Sequence, residues 1–290
     1  MSERPEFTQA RARKALGQHF LFDPSILMRT ALAAGPVAGR TVIEVGPGPG
    51  GLTRALLDAG VDTLTCVEAD SRFADALLGW PESANNRLSV IQQDARKVDW
   101  EALPTIVKSP QPVMIVANLP YNVGTPLLVE WLKAGSWRGE MALMFQKEVA
   151  ERICAQPGER HYGRLAVLTS AVCEAHLAFT LPPGAFRPPP KVDSAVAVFR
   201  PLADDVRYQH LETLEKVTTA AFGQRRKMMR SSLKALGKTV GLETVQWLES
   251  CKIDPTVRAE TLSQSDFRAL ADKLWETTNA GDVGKRRIAP

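Results

Sequence analysis

Apolar and polar positions alternate in a regular order through the first half of the chain. Short apolar runs stand at 41–45 (Thr-Val-Ile-Glu-Val), 63–67, 88–92, 113–117 and 140–145. Runs of this length, bounded by turn residues, predict strands. Between them lie segments with helical spacing at 52–57, 71–78, 125–133 and 147–155. The third of these is expected to begin at Thr125-Pro126, because proline suits a first helical turn. Strand and helix in alternation predict a Rossmann-like α/β fold, a doubly wound sheet with helices on both faces. Ligands of such sheets bind outside the carboxyl ends of the strands.

The pattern changes after the proline-dense stretch 181–191, which leads into one more strand at 194–199. Beyond residue 201 the alternation stops, and helical spacing covers 206–235, 242–247 and 265–275. This predicts a catalytic domain over 1–203 that includes an N-terminal arm, and a small helical domain over 204–278. Residues 279–290 lack apolar periodicity and are expected to form a disordered tail.

Composition narrows the class. The chain has 290 residues, 44% hydrophobic and 23% charged, the balance of an ordinary soluble globular protein. No apolar run is long enough to span a bilayer. The N-terminus mixes charges and lacks the apolar core of a secretory signal, so a cytoplasmic protein is expected. Cys66, Cys154, Cys173 and Cys251 are scattered, and the four histidines show no ligand spacing. Neither a disulfide framework nor a metal site is expected.

A net charge of +4 favours a polyanionic partner only weakly. Its placement says more. Basic residues gather at 11–14, at Gln224-Arg225-Arg226-Lys227 with Arg230, and at 285–287. Several such clusters beside a nucleotide-type site point to nucleic acid.

Three strand ends carry groups suited to one nucleoside. The first strand runs into Glu44-Val-Gly46-Pro-Gly48-Pro-Gly50-Gly51. Glycines there permit a tight turn and close approach of backbone to ligand. Gly46, Gly48 and Gly51 fit a dinucleotide fingerprint, while Gly46, Gly48 and Gly50 fit the glycine loop of methyltransferases. Glu68 closes the second strand, where a carboxylate can accept both ribose hydroxyls. NAD and S-adenosylmethionine share that ribose, so the loop and Glu68 leave both open. Asp94 closes the third strand and can accept from an adenine amino group; as an alternative it can cap a helix.

Asn118-Leu119-Pro120-Tyr121 closes the fourth strand. An aromatic amine is a poor nucleophile, because its lone pair is delocalised into the ring. Two acceptors can hold its hydrogens and turn the lone pair toward an electrophile. The Asn118 side-chain oxygen can be one, and the carbonyl of Leu119 or Pro120 the other. Proline stiffens the loop, and Tyr121 offers a face for stacking a base. A sulfonium methyl donor needs no strong base before transfer, so positioning carries the reaction.

With these residues in place the chain resembles the small-subunit ribosomal RNA adenine dimethyltransferases, the KsgA family. The resemblance runs from about Lys14 to Ala271. It rests on Lys14-Ala-Leu-Gly-Gln-His-Phe-Leu21, Glu44 to Gly48, Gln93-Asp94-Ala95, Asn118 to Tyr121, Gln146 to Arg152, Tyr162 to Leu165, Phe186 to Val196 and Gln224 to Lys227. It implies S-adenosyl-L-methionine as cofactor. It implies dimethylation of N6 on two adjacent adenosines near the 3′ end of small-subunit rRNA, with the rRNA and the immature small ribosomal subunit as partners. It implies cofactor contacts at His19, Leu21, Gly46, Gly48, Glu68, Asp94 and Asn118. His19 stands where the family commonly has Asn. Phe186 should stack on the target adenine opposite Tyr121. Phosphate contacts are expected at Arg225, Arg226 and Lys227, with Lys147 and Lys191 as further candidates, in a monomeric enzyme.

Rival readings are a large-subunit rRNA adenine methyltransferase of the antibiotic-resistance type and a non-catalytic ribosome assembly factor. An NAD-dependent oxidoreductase gives the tetrad no role. DNA adenine methyltransferases usually carry an acidic or doubled-proline tetrad.

Overall fold

The computed structural model describes residues 18–285 apart from 104, 106–108, 110–111 and 225. Its nine strands are β1 (Phe20–Leu21), β2 (Thr41–Val45), β3 (Thr63–Glu68), β4 (Leu88–Gln92), β5 (Val113–Asn118), β6 (Arg138–Gln146), β7 (Cys173–Leu181), β8 (Phe186–Arg187) and β9 (Ser194–Pro201). The seven-stranded sheet has the order β4-β3-β2-β5-β6-β9-β7, and β1 and β8 form a separate pair. Strands β2 to β6 pair in parallel, and β9 joins β6 antiparallel.

The central strands are apolar without alternation. Val42, Ile43, Met114, Ile115, Val116 and Leu143 have no exposed surface, as a sheet covered on both faces requires. The strand order reverses between β2 and β5, which opens a crevice at their carboxyl ends.

The helices are α1 (Pro24–Ala31), α2 (Gly51–Asp58), α3 (Ser71–Leu78), α4 (Pro81–Ala84), α5 (Tyr121–Lys133), α6 (Lys147–Cys154), α7 (Arg164–Ser170), α8 (Leu211–Phe222), α9 (Met229–Ser232), α10 (Lys234–Val240), α11 (Thr244–Ser250) and α12 (Gln264–Lys285). Caps explain several starts. Asp23 accepts from the Ser25 and Ile26 amides ahead of α1, and Glu243 from Val245 and Gln246 ahead of α11. A carboxylate there pairs with backbone N–H groups that have no partner inside the helix.

Four expectations from the sequence are corrected. Helix α5 begins at Tyr121, four residues before Thr125-Pro126, because the Pro120 carbonyl accepts from the Val123 and Gly124 amides. Pro126 is carried inside the helix. The expected helix over 206–235 is broken after Gly223 into α8, α9 and the start of α10. At the start of α9 the Met229 amide donates to the Val257 carbonyl and the Arg230 amide to the Pro255 carbonyl, so these amides pair sideways and do not continue α8. Helix α12 continues to Lys285, into the span expected as a disordered tail, and 286–290 lie outside the described residues.

The fourth correction concerns domains. Two compact units form, one of residues 18–150 and 175–201 and one of 151–174 and 202–285. One unit boundary falls between Pro201 and Leu202. Residues 151–174, expected in the catalytic domain, pack instead with the helical unit. Tyr162 meets Phe222 edge-on at 6.0 Å, and Arg164 reaches Glu215 and Thr219 on α8. Trp247 and Phe267 complete that unit's core, with Trp247 Nε1 donating to the Leu270 carbonyl at 3.3 Å.

Candidate functional site

The carboxyl ends of β2, β3, β4 and β5 open into one pocket within the first unit. Gly46, Gly48, Glu68, Asp94, Asn118, Tyr121 and Phe186 all line it, as do His19 and Leu21.

The glycine loop is built for close approach. Gly46, Gly48 and Gly50 have φ of 71°, 52° and 86°, a region that side chains disfavour. Space is also closed. A Cβ on Gly48 would lie 2.9 Å from the Phe20 ring, and one on Gly50 would lie 2.8 Å from Trp80. The Gly46 amide donates to the Val67 carbonyl at 2.9 Å, which ties the loop to the end of β3.

Glu68 is 5% exposed and accepts from two backbone amides, Gly48 at 2.9 Å and Asp70 at 2.8 Å. Burial raises its pKa, against the lowering effect of those two amides. Each carboxylate oxygen keeps a second lone pair, so the group still has acceptor capacity toward the pocket.

Asp94 behaves as a cap. It accepts from the Arg96 amide at 3.0 Å and holds the Arg96 guanidinium at 2.6 Å. The Arg96 side chain, then its amide, bring the carboxyl down to about 2. Asp94 lines the pocket as a charged group already engaged by Arg96, and an adenine amino group there competes with that pair.

Asn118 is the most constrained member of the tetrad. Its Nδ2 donates to the His19 carbonyl at 3.1 Å. A carbonyl only accepts, so the amide orientation is determined by chemistry and Oδ1 is left as the free acceptor. The Pro120 carbonyl already takes two backbone donors, which fills its lone pairs. Of the two second acceptors offered by the sequence, the Leu119 carbonyl remains. Tyr121 is held through its hydroxyl by Ser194 Oγ at 2.6 Å, and Ser194 is fully buried. Burial raises the Tyr121 pKa, so it stays a neutral aromatic surface.

Two of the pocket residues also have partners within the protein. Phe186 reaches the pocket wall but is only 2% exposed, packed in the core with Leu21, Leu27 and Leu181. It pairs with Leu21 across β1 and β8, so stacking on its ring requires this pair to move. His19, expected at the cofactor, sends Nδ1 to the Pro188 carbonyl at 2.7 Å and its ring against Tyr121 at 5.8 Å and 29°.

Sequence reasoning gave Glu44 no role. It is 1% exposed, lines the pocket, and has one carboxyl oxygen without a hydrogen-bond partner. Burial pushes its pKa up to about 8, only partly offset by Thr53 and Cys66 beside it, and the Glu68 charge adds to the rise. Glu44 therefore binds a proton on folding at neutral pH. The folded pKa lies above the unfolded value of 4.5, so its stabilising contribution is complete below that value and is lost as pH rises through about 8. Urea unfolding between about pH 5 and pH 8 should show stability falling with pH, and Glu44→Gln should flatten that slope. The smaller rise at Glu68 has the same sign, so some slope will remain.

Among the basic candidates, Arg226 and Lys227 are exposed and Lys191 is exposed, while Lys147 is half-buried with its amide on the Asp193 carbonyl. Arg225 lies outside the described residues. A bridge between Met228 and Arg258 brings exposed Arg258 beside Lys227. No sequence spacing links residues so far apart, and only the folded chain shows the pair. Among the described residues no group of three or more His, Cys, Asp and Glu could hold a metal, and no helix is long and apolar enough to cross a membrane.

The donor set fits S-adenosylmethionine. Gly46, Gly48 and Gly50 take backbone angles that side chains disfavour and so bring bare backbone to the pocket, and Glu68 keeps acceptor capacity for a ribose. Comparisons agree with this chemistry. A model of the ribosomal RNA adenine dimethylase family matches residues 9–275. The chain is 51% identical to Ribosomal RNA small subunit methyltransferase A of Gluconobacter oxydans, over 90% of this chain and 82% of that protein. It is 52% identical to the protein of that name from Agrobacterium fabrum, over 91% and 93%. A dimethyladenosine transferase from Plasmodium falciparum has the same fold, with a TM-score of 0.71 and 24% identity over 90% of this chain and 98% of that one. The 23S rRNA methyltransferase ErmE shares it at a TM-score of 0.62 and 23% identity, over 88% and 99%. With its tetrad and glycine loop in place and the match running through nearly the whole length, the chain belongs to the ribosomal RNA adenine dimethylase family and is an rRNA adenine-N6,N6-dimethyltransferase.

Proposed function

We propose that the enzyme dimethylates N6 of two adjacent adenosines near the 3′ end of small-subunit rRNA, in the cytoplasm, as a monomer acting on the immature small subunit. The observation that carries the chemistry is the Asn118 amide, oriented by the His19 carbonyl with Oδ1 left to accept. The small subunit is supported by the names of relatives at about half identity over nine-tenths of the chain.

S-adenosylmethionine, when bound, supplies a methyl group already activated on a sulfonium. Gly46, Gly48 and Glu68 hold the nucleoside end, and Leu21 adds an apolar wall; Asp94 reaches the adenine amino group only by sharing with Arg96. Asn118 Oδ1 and the Leu119 carbonyl each accept one hydrogen of the target amine, which turns its lone pair out of the ring plane. Tyr121 supports the base by its face. The base has to leave its stack to reach this pocket, so an unpaired stretch is the substrate. Its proton departs after the nitrogen has become cationic, and no strong base is required at the site. Phe186 supplies a second face after movement of the β1–β8 pair.

Incubation with labelled methyl donor and undermethylated small subunits, small-subunit RNA or large-subunit RNA, followed by mapping of the base, tests this reading. Label confined to large-subunit RNA would overturn it. Arg225, Arg226 and Lys227 are assigned to phosphates, with Lys147, directly after β6, and Lys191, ahead of β9, as further candidates. Arg226→Ala and Lys227→Ala should each weaken RNA binding regardless of sequence. Each should also reduce the salt slope by about one unit, read from binding isotherms at several salt concentrations.

A further inference from the structure

We propose that Arg96 is a specificity-determining residue at the adenine end of the cofactor site, where its guanidinium competes with the adenine amino group for the Asp94 carboxylate. Both residues line the pocket. Asp94 Oδ1 accepts from the Arg96 amide and from Arg96 Nε, each at 3.0 Å. Oδ2 accepts from Arg96 Nη2 at 2.6 Å and is reached by Nε at 3.2 Å. Four donor contacts thus fall on a group with about four lone-pair sites, and all come from residue 96. An incoming amino group has to share one of these sites or displace its donor.

The guanidinium is not needed to hold Asp94 in place. The turn after β4 is closed by the Lys97 amide on the Asp94 carbonyl at 2.8 Å, Gln93 Nε2 on the Lys97 carbonyl at 2.7 Å and Trp100 Nε1 on the Ala95 carbonyl at 3.1 Å. The carboxylate is aimed by the Arg96 amide, which any residue but proline supplies at that position. Nor is the guanidinium needed for charge, since a carboxyl at the ordinary value of 3.8 is already ionised at neutral pH. What the side chain adds is a rival donor. It is also the partner free to leave. The Arg96 side chain is 57% exposed against 27% for Asp94, so water replaces its half of the ion pair at little cost. The pair therefore trims affinity without blocking the site, and it acts only on a ligand that brings an amino group to Asp94.

The test measures, by calorimetry and without RNA, how the parent, Arg96→Met and Arg96→Lys bind two ligands. One is S-adenosylhomocysteine, the demethylated cofactor, and the other its analogue lacking the N6 amino group. Methionine keeps much of the bulk and loses the donors, whereas lysine keeps the charge and loses the planar fork. Expected is about threefold to tenfold tighter binding of S-adenosylhomocysteine by the methionine variant and a smaller gain for lysine, with the analogue unchanged within about twofold. Combined with Asp94→Asn, the methionine substitution should give no gain, because the carboxylate it frees is gone. Three results would each overturn the proposal. One is unchanged or weaker binding of S-adenosylhomocysteine by Arg96→Met. Another is equal tightening of both ligands, which would place the effect in space or fold and not in the acceptor. The third is a gain that persists beside Asp94→Asn. The inference rests on Asp94 as the acceptor for the adenine amino group, and Asp94→Asn alone separates the two. If that reading fails, Asp94→Asn binds S-adenosylhomocysteine like the parent. If only the role of Arg96 fails, Asp94→Asn binds about tenfold more weakly while Arg96→Met shows no gain.

Discussion

Asn118→Ala should lower methyl transfer by about a hundredfold to a thousandfold at saturating cofactor, while cofactor affinity changes by no more than about threefold. The variant removes Oδ1, the acceptor left free by the Nδ2 bond to His19. Without it the target amine keeps its lone pair in the ring, and the reaction loses the interaction made as the nitrogen becomes tetrahedral. Asn118 is half-buried at the end of β5 and its side chain makes one hydrogen bond, to the His19 carbonyl, so the fold should persist with a loss of about 1 kcal/mol of stability. Asn118→Asp sharpens the test. It restores an acceptor but faces the His19 carbonyl with a carboxylate oxygen, and two acceptors in contact repel. Its rate should fall between the parent and the alanine variant. Single-turnover measurement on undermethylated subunits reads the effect, and a full rate in the alanine variant would sink the mechanism.

Much of this site was legible because its groups sit at strand ends. Glu68, Asn118 and the glycine loop follow apolar runs that the sequence pattern predicts, and the α/β order then brings them to one crevice. What could not be read were contacts between segments far apart in the chain. His19 meets Pro188 and Asn118 through β1 and β8, two-residue strands too short for any periodic signal. Residues 151–174 carry no mark that assigns them to the helical unit, since the assignment depends on Tyr162 finding Phe222. Strand β7 alternates weakly, so no period-two signal marks it in the sequence. Pro126 misled because proline is also tolerated near a helix start already made by the Pro120 carbonyl. Phe186 shows the same limit at one residue. An aromatic on a proline-rich stretch looks available for stacking, yet pairing with β1 buries it. Asp94 caps the turn that follows β4 and pairs with Arg96 while lining the pocket, a double engagement that composition alone does not show.

Glu68→Ala should act on binding where Asn118→Ala acts on rate. A charged acceptor is worth about 1.5–3 kcal/mol per hydrogen bond. Losing two ribose contacts should therefore raise the cofactor dissociation constant by about a hundredfold or more. The variant also strips the Gly48 and Asp70 amides of their acceptor. The loop should become less ordered, and thermal unfolding should shift downward even without cofactor. Glu68→Gln separates these effects. One oxygen remains for one amide, while the new NH2 opposes the other, so affinity should fall by about tenfold and stability by less than in the alanine variant. Calorimetric titration measures the first quantity and scanning calorimetry the second. If Glu68→Ala binds cofactor like the parent and only stability drops, the carboxylate serves the turn alone. The nucleoside would then have to be held by the backbone of the glycine loop.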